Sequence, residues 1–155
     1  MTRIRNAPDA SALMATARSF GNYDLARALA DIIDNSITAR ASRIEISCLY
    51  EDDQDCTVRI RDNGQGMDCD ELRRAMCPAS THPEQQRPSD DLGRFGWGMK
   101  SASFSQCRIL TVISRKDGEL HGARWNLDDI AEWQMDQFGD AEAAVLLRRP
   151  FDSPT

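Results

Sequence analysis

The sequence predicts an α/β fold, and three observations carry that expectation. Thr57, Arg59 and Arg61 alternate with Val58 and Ile60 in the period of a half-buried strand. Leu25, Leu29, Ile32, Ile33 and Ile37 recur at helical spacing, so one face of a long helix packs into a core. Gly93 to Ser101 is glycine-rich and then turns helix-like through Lys100-Ser101-Ala102-Ser103-Phe104, so strands and helices interleave along the chain.

Taken in order, the elements begin with a helix over Ala10 to Ser19, followed by the long helix within Asp24 to Ala39. Arg43 to Leu49 and Thr57 to Arg61 read as strands joined by the acidic turn Glu51-Asp52-Asp53-Gln54-Asp55, and Asp70 to Met76 as a short helix. Pro78 to Asp91 holds three prolines and many polar residues, the composition of a mobile loop. Arg108 to Ser114 and His121 to Asn126 form a hairpin around Lys116-Asp117-Gly118. No internal repeat or low-complexity stretch occurs, and the end of the chain is the least readable part.

At 155 residues and 41% hydrophobic composition, the chain is expected to form one domain over 1–155. The formal net charge of −6 supplies no global basic field for nucleic acid, so any DNA contact falls to other segments or partners. The pairs Arg40 and Arg43, Arg73 and Arg74, and Arg148 and Arg149 read as solvated surface. Cys48, Cys56, Cys69, Cys77 and Cys107 are odd in number and lack a C-x-x-C pair, which argues against a disulfide scaffold or zinc module and fits a reducing cytoplasm. No apolar run is long enough to span a bilayer, and residues 1–8 lack the apolar centre of a signal peptide, so a soluble, cytoplasmic protein is expected. His82 and His121 are too few for a histidine metal site.

The motifs suggest a chemistry. Asp62 follows the strand Thr57 to Arg61, where its carboxylate is placed to accept from an exocyclic amine, while Gly64 and Gly66 let backbone approach a flat ring. The same Asp-Asn-Gly sequence also reads as a hairpin turn. In Gly93-Arg94-Phe95-Gly96-Trp97-Gly98-Met99-Lys100-Ser101, backbone N–H groups at a helix start form an anion site suited to phosphate. Met99 before Lys100-Ser101 breaks the Walker A pattern, and no third glycine completes a dinucleotide fingerprint. A plain glycine linker is the alternative, against which Phe95, Trp97 and Met99 speak. Upstream, Asp31 and Asn35 lie four residues apart, and an amide oxygen with a carboxylate one turn away can hold hydrated Mg²⁺ and orient a water. Alone, that pair equally describes a solvated helix stripe.

In this order the three stretches resemble the GHKL, or Bergerat-fold, ATPases, the superfamily of gyrase B, the ninety-kilodalton heat-shock chaperone, histidine kinases and MutL. Asp31-Ile32-Ile33-Asp34-Asn35-Ser36 looks like the N box, Asp62-Asn63-Gly64-Gln65-Gly66-Met67 like the adenine box, and Gly93 to Ser101 like the phosphate box, with its glycine spacing nearest the Microrchidia (MORC) type. The resemblance implies a two-layer α/β sandwich, a mixed sheet covered on one face by helices, with a core over about 20–126 and a lid at 78–92. It further implies that ATP is held by Asn35, Asp62, Gly64, Gly66, Met67 and Gly93 to Ser101, that Mg²⁺ binds at Asn35, and that ATP binding drives dimerisation or engagement of a partner protein.

One residue departs from the pattern. Hydrolytic members usually carry Glu four residues before the Mg²⁺-binding Asn, as general base, whereas this chain has Asp31, one methylene shorter. Slow hydrolysis and a non-hydrolysing regulatory module both follow as readings. A histidine-kinase catalytic domain is a third, weakened because no phosphoacceptor helix precedes the N box. Members usually continue into a transducer domain, so a fragment of a longer protein is also expected.

Overall fold

A computed structural model describes residues 9–19, 24–51, 55–78, 98–130 and 133–147. The elements, in chain order, are α1 (Ala10–Ser19), α2 (Leu25–Thr38), β1 (Ile44–Glu51), β2 (Asp55–Asp62), α3 (Cys69–Met76), α4 (Gly98–Gln106), β3 (Ile109–Lys116), β4 (Glu119–Asn126), β5 (Asp136–Phe138) and α5 (Asp140–Leu147). The α/β class is as expected. The expected mixed sheet is not what the described strands form: every pairing is antiparallel, in a β1–β2 hairpin and a β3–β4–β5 sheet. Each pairing joins strands consecutive in the chain over a connection too short for the parallel crossover of a dozen or more residues, while β2 and β3, whose connection carries α3 and α4, do not pair with each other. The β3–β4 turn has two residues, with Asp117 at φ 53° and Gly118 at φ 90°, the left-handed pair of a type I′ turn.

Local chemistry sets the helix ends. Asp24 caps α2 by accepting from the Arg27 N–H at 2.8 Å. Its C-terminus closes as a Schellman motif, in which the Ala41 N–H donates to the Ser36 carbonyl at 3.0 Å and the Arg40 N–H to that of Ile37 at 2.8 Å. Arg40 takes the left-handed position, φ 59°, that glycine usually fills. Asp68 and Glu71 form a capping box at the start of α3, and Lys116 from the end of β3 donates to both, at 3.2 Å and 2.6 Å. These bonds and the Lys116 charge hold the Asp68 carboxyl down at about 2 and the Glu71 carboxyl below its usual range, while the two carboxylates push Lys116 up.

The main core gathers Ala10 and Met14 of α1, Leu72 and Met76 of α3, Phe104 of α4, Ala123 and Trp125 of β4, and Leu127 and Ile130 beyond it. Helix α2 packs on α4 and buries Ala28 and Ser36. No helix among the described residues is long and apolar enough to cross a membrane.

Candidate nucleotide site

Asp62 ends β2, and two elements position its carboxylate. The Ser36 hydroxyl of α2 donates to Oδ2 at 3.2 Å, and the Gly64 N–H donates to Oδ1 at 2.8 Å. An ionised carboxylate offers about four acceptor sites. With one protein donor on each oxygen and the residue exposed, Asp62 keeps capacity for a ligand amine.

The loop after Asp62 is tied down residue by residue. Asn63 Oδ1 accepts from the Ser42 and Arg43 N–H groups, both at 2.9 Å, and its Nδ2 donates to Ser42 Oγ at 3.0 Å. The Gln65 N–H donates to the Ala39 carbonyl at 2.9 Å, and the Met67 N–H to the buried Ser114 hydroxyl at 2.7 Å.

Gly64 and Gly66 do work that was not expected of them. A Cβ on Gly64 would stand 2.8 Å from both Cβ and the carbonyl oxygen of Ala39. On Gly66, at φ 69°, it would run into the Arg115 carbonyl. The room these glycines leave is taken up by the α2 terminus and β3, so they set the path of the loop from within the protein. Met67 likewise turns its side chain against the core.

On α2, Asn35 Nδ2 donates to the Asp31 carbonyl at 2.8 Å, which engages the donor end of the amide and leaves Oδ1, the end a cation would use, outside that bond. Asn35 is exposed and Asp31 half-buried, one turn apart on the helix that carries Ser36. Among the described residues no cluster of three or more His, Cys, Asp or Glu could hold a metal ion. A cation here would therefore rest on few protein ligands together with phosphate oxygens, the habit of Mg²⁺.

Of the expected phosphate loop, Gly93, Arg94, Phe95, Gly96 and Trp97 lie outside the described residues, as does the lid after Pro78. Gly98, Met99, Lys100 and Ser101 form the first turn of α4, with Met99 packed on the core. The resemblance counts Lys100 among the residues that hold ATP, but in the structure its ammonium is engaged on the end of α3. Lys100 is 2% exposed, and Nζ donates to the carbonyls of Ala75 at 2.8 Å and Cys77 at 2.6 Å. Burial lowers its pKa to about 8, partly opposed by the Cys77 thiol.

Three positioning residues escaped the sequence reading of roles. Ser36 had a signal, a serine inside the polar run Asp34-Asn35-Ser36 that interrupts an apolar stripe. Ser114 and Trp125 had none, because each acts on backbone distant in sequence.

With this geometry in place, similarity to known proteins is informative. The family model described as histidine kinase-, DNA gyrase B-, and HSP90-like ATPase matches residues 23–147. The chaperone protein HtpG of Streptomyces coelicolor is 30% identical over 140 residues, covering 80% of this chain and 22% of that one. The ATPase morc-1 of Caenorhabditis elegans is 32% identical over 91 residues, 59% of this chain and 10% of its own length. HtpG of Paramagnetospirillum magneticum is 36% identical over 104 residues, 59% of this chain and 16% of that one. The match thus spans at most about a fifth of each relative.

Proposed function

The chain belongs to the histidine kinase-, DNA gyrase B- and HSP90-like ATPases, and we propose that it binds Mg-ATP at the junction of α2, the end of β2 and the first turn of α4. The observation that carries this reading is the Ser36–Asp62 hydrogen bond, which joins the helix bearing Asp31 and Asn35 to the carboxylate proposed to read adenine. Asp62 accepts from the exocyclic amine, held in place by Ser36 and the Gly64 amide. A helix start turns backbone N–H groups and the positive end of its dipole towards an anion, and the first turn of α4 is where the phosphates would lie. Asn35 Oδ1 holds the Mg²⁺, which when bound neutralises phosphate charge. Asp31 serves as base for the attacking water, with reach shortened by one methylene relative to Glu, so turnover is slow. ATP binding is coupled to lid closure and to association of two copies, or of one copy with a partner protein, in a reducing cytoplasm. The non-hydrolysing regulatory module is the second reading, and the shorter Asp31 side chain is what favours it.

Calorimetric titration with ATP tests the proposal. Asp62→Asn should weaken ATP by about fivefold to a hundredfold, the scale of about 1–3 kcal/mol for a polar contact left unmatched beneath the bound nucleotide, with the fold retained. Asn35→Ala should remove only the Mg²⁺-dependent part of the affinity. Unchanged ATP affinity in Asp62→Asn would reject the adenine assignment. In single-turnover assays Asp31→Asn should retain ATP without hydrolysing it, and hydrolysis at the parent rate would reject Asp31 as base.

A further inference from the structure

Lys100 carries a charge into a place where charge is costly. Its side chain is one of the largest fully buried in the described protein, and a buried ammonium persists only where hydrogen bonds replace water. The acceptors are specific: the carbonyls of Ala75 and Cys77, with the carbonyl between them, that of Met76, accepting the Trp125 indole N–H at 2.9 Å. These carbonyls lie past the last intrahelical bonds of α3, where the Cys77 N–H reaches back to Arg73 and Arg74. All three therefore have side-chain donors, and a cation meets the negative end of the α3 dipole. Lys100 itself stands in the first turn of α4, 25 and 23 residues along the chain from its two acceptors.

We propose that Lys100 is a positioning residue, an ammonium clamp that fixes the first turn of α4 against the C-terminal end of α3, and that it does not contact the phosphates of a bound nucleotide. As regards nucleotide the inference rests on the reading above, since it makes the α4 turn that faces the phosphates depend on a side chain pointing the other way. Both bonds use Nζ, and a side chain only 2% exposed would have to leave both carbonyl acceptors and swing outward to meet a phosphate. The titratable group beside Lys100 is the Cys77 thiol.

The chain has two lysines, Lys100 and Lys116, so a protein labelled with ¹³C at lysine Cε gives two side-chain signals, assigned through Lys116→Arg. For the clamp, the Lys100 signal should titrate near 8 without nucleotide and keep that midpoint under saturating Mg-ATP. A midpoint at the ordinary 10.5 without nucleotide, or one that climbs with ATP and not with adenosine, would overturn it. Hydrogen exchange supplies a second arm. Lys100→Met should lose at least about tenfold of the protection at the Lys100 to Ser103 and Met76 to Cys77 amides while the β3–β4 ladder keeps its own, and unchanged protection in α4 would also reject the clamp. Should Lys100→Met fail to fold, the titration of the parent still decides. If ATP does not bind at all, the nucleotide reading fails, and the clamp is judged by the nucleotide-free midpoint and the exchange data.

Discussion

The β1–β2 hairpin and the β3–β4 hairpin use strands of the same length, eight residues each, but they sit in different surroundings. Strand β4 is packed by α3 and α5 and buries Leu120 on one face and Ala123 and Trp125 on the other. In the first hairpin the register puts Ile46 opposite Ile60, Cys48 opposite Val58 and Tyr50 opposite Cys56, an apolar face on which Ile46 is 46% and Val58 39% exposed. A two-stranded hairpin is marginal by itself. Its site end is therefore fixed by point ties, namely Ser36 on Asp62, Asn63 on residues 42 and 43, Gln65 on Ala39 and Met67 on Ser114. The difference teaches that packing is concentrated in the half of the fold gathered around β4, where α1, α3 and α4 meet, while the proposed adenine site hangs on the joint between that half and the first hairpin.

The joint itself is the most sensitive place to break that comparison. Gly66→Ala introduces a side chain at φ 69° that collides with the Arg115 carbonyl, so the loop must leave β3 or β3 must move. A loss of about 4 kcal/mol is expected by urea denaturation, at the upper end for single substitutions. A cost under about 1 kcal/mol would show that the loop is not seated on β3.

Next comes the packed half, probed through pH. Burial puts the folded-state pKa of Lys100, about 8, below the unfolded value of 10.5. Between these values the unfolded chain binds more protons, so this group's contribution to stability rises with pH across that window and is flat below about 8. The stability of the parent relative to Lys100→Met should therefore increase from pH 7.5 to 9.5. A flat difference would mean that Lys100 is solvated or paired with an anion, since neither brings its pKa into that window.

A smaller effect, of opposite sign, lies at the platform for the loop. Arg40 occupies the left-handed position closing α2, where a non-glycine residue costs about 1 kcal/mol. Arg40→Gly should raise the unfolding free energy from urea denaturation by that amount, and so the midpoint, with ATP affinity unchanged. A lower midpoint would reveal that the Arg40 side chain contributes more than its backbone costs.

Much of this arrangement was readable because it is written in local periodicity. Helix α1 was expected at Ala10 to Ser19 and lies there, and alternation in Thr57 to Arg61 put Asp62 at a strand end. The Asp117-Gly118 turn likewise announces itself. Strand β5 has three residues and α5 reads Asp-Ala-Glu-Ala-Ala-Val-Leu-Leu, without a polar face to give a stripe, so neither left a pattern to find. The glycines and Lys100 were legible as special but not in what they serve, since their partners are backbone carbonyls of Ala39, Arg115, Ala75 and Cys77, and a carbonyl has no sequence signature.

The smallest expected effect, at Val58, tests the contrast most directly when the same substitution is made in both hairpins. Val58 sits on the exposed face of β2, whereas Val112 of β3 packs against the core. Valine to threonine preserves shape and β-branching and exchanges a methyl for a hydroxyl. At Val112 that hydroxyl enters apolar surroundings and should cost about 1–3 kcal/mol. At Val58 water remains available to it, and the change should stay within about 0.5 kcal/mol. Urea denaturation of both variants at one pH gives the comparison. Equal and large losses would mean that the face bearing Ile46, Tyr50 and Val58 is covered in solution, and the hairpin would then have to be counted with the packed half.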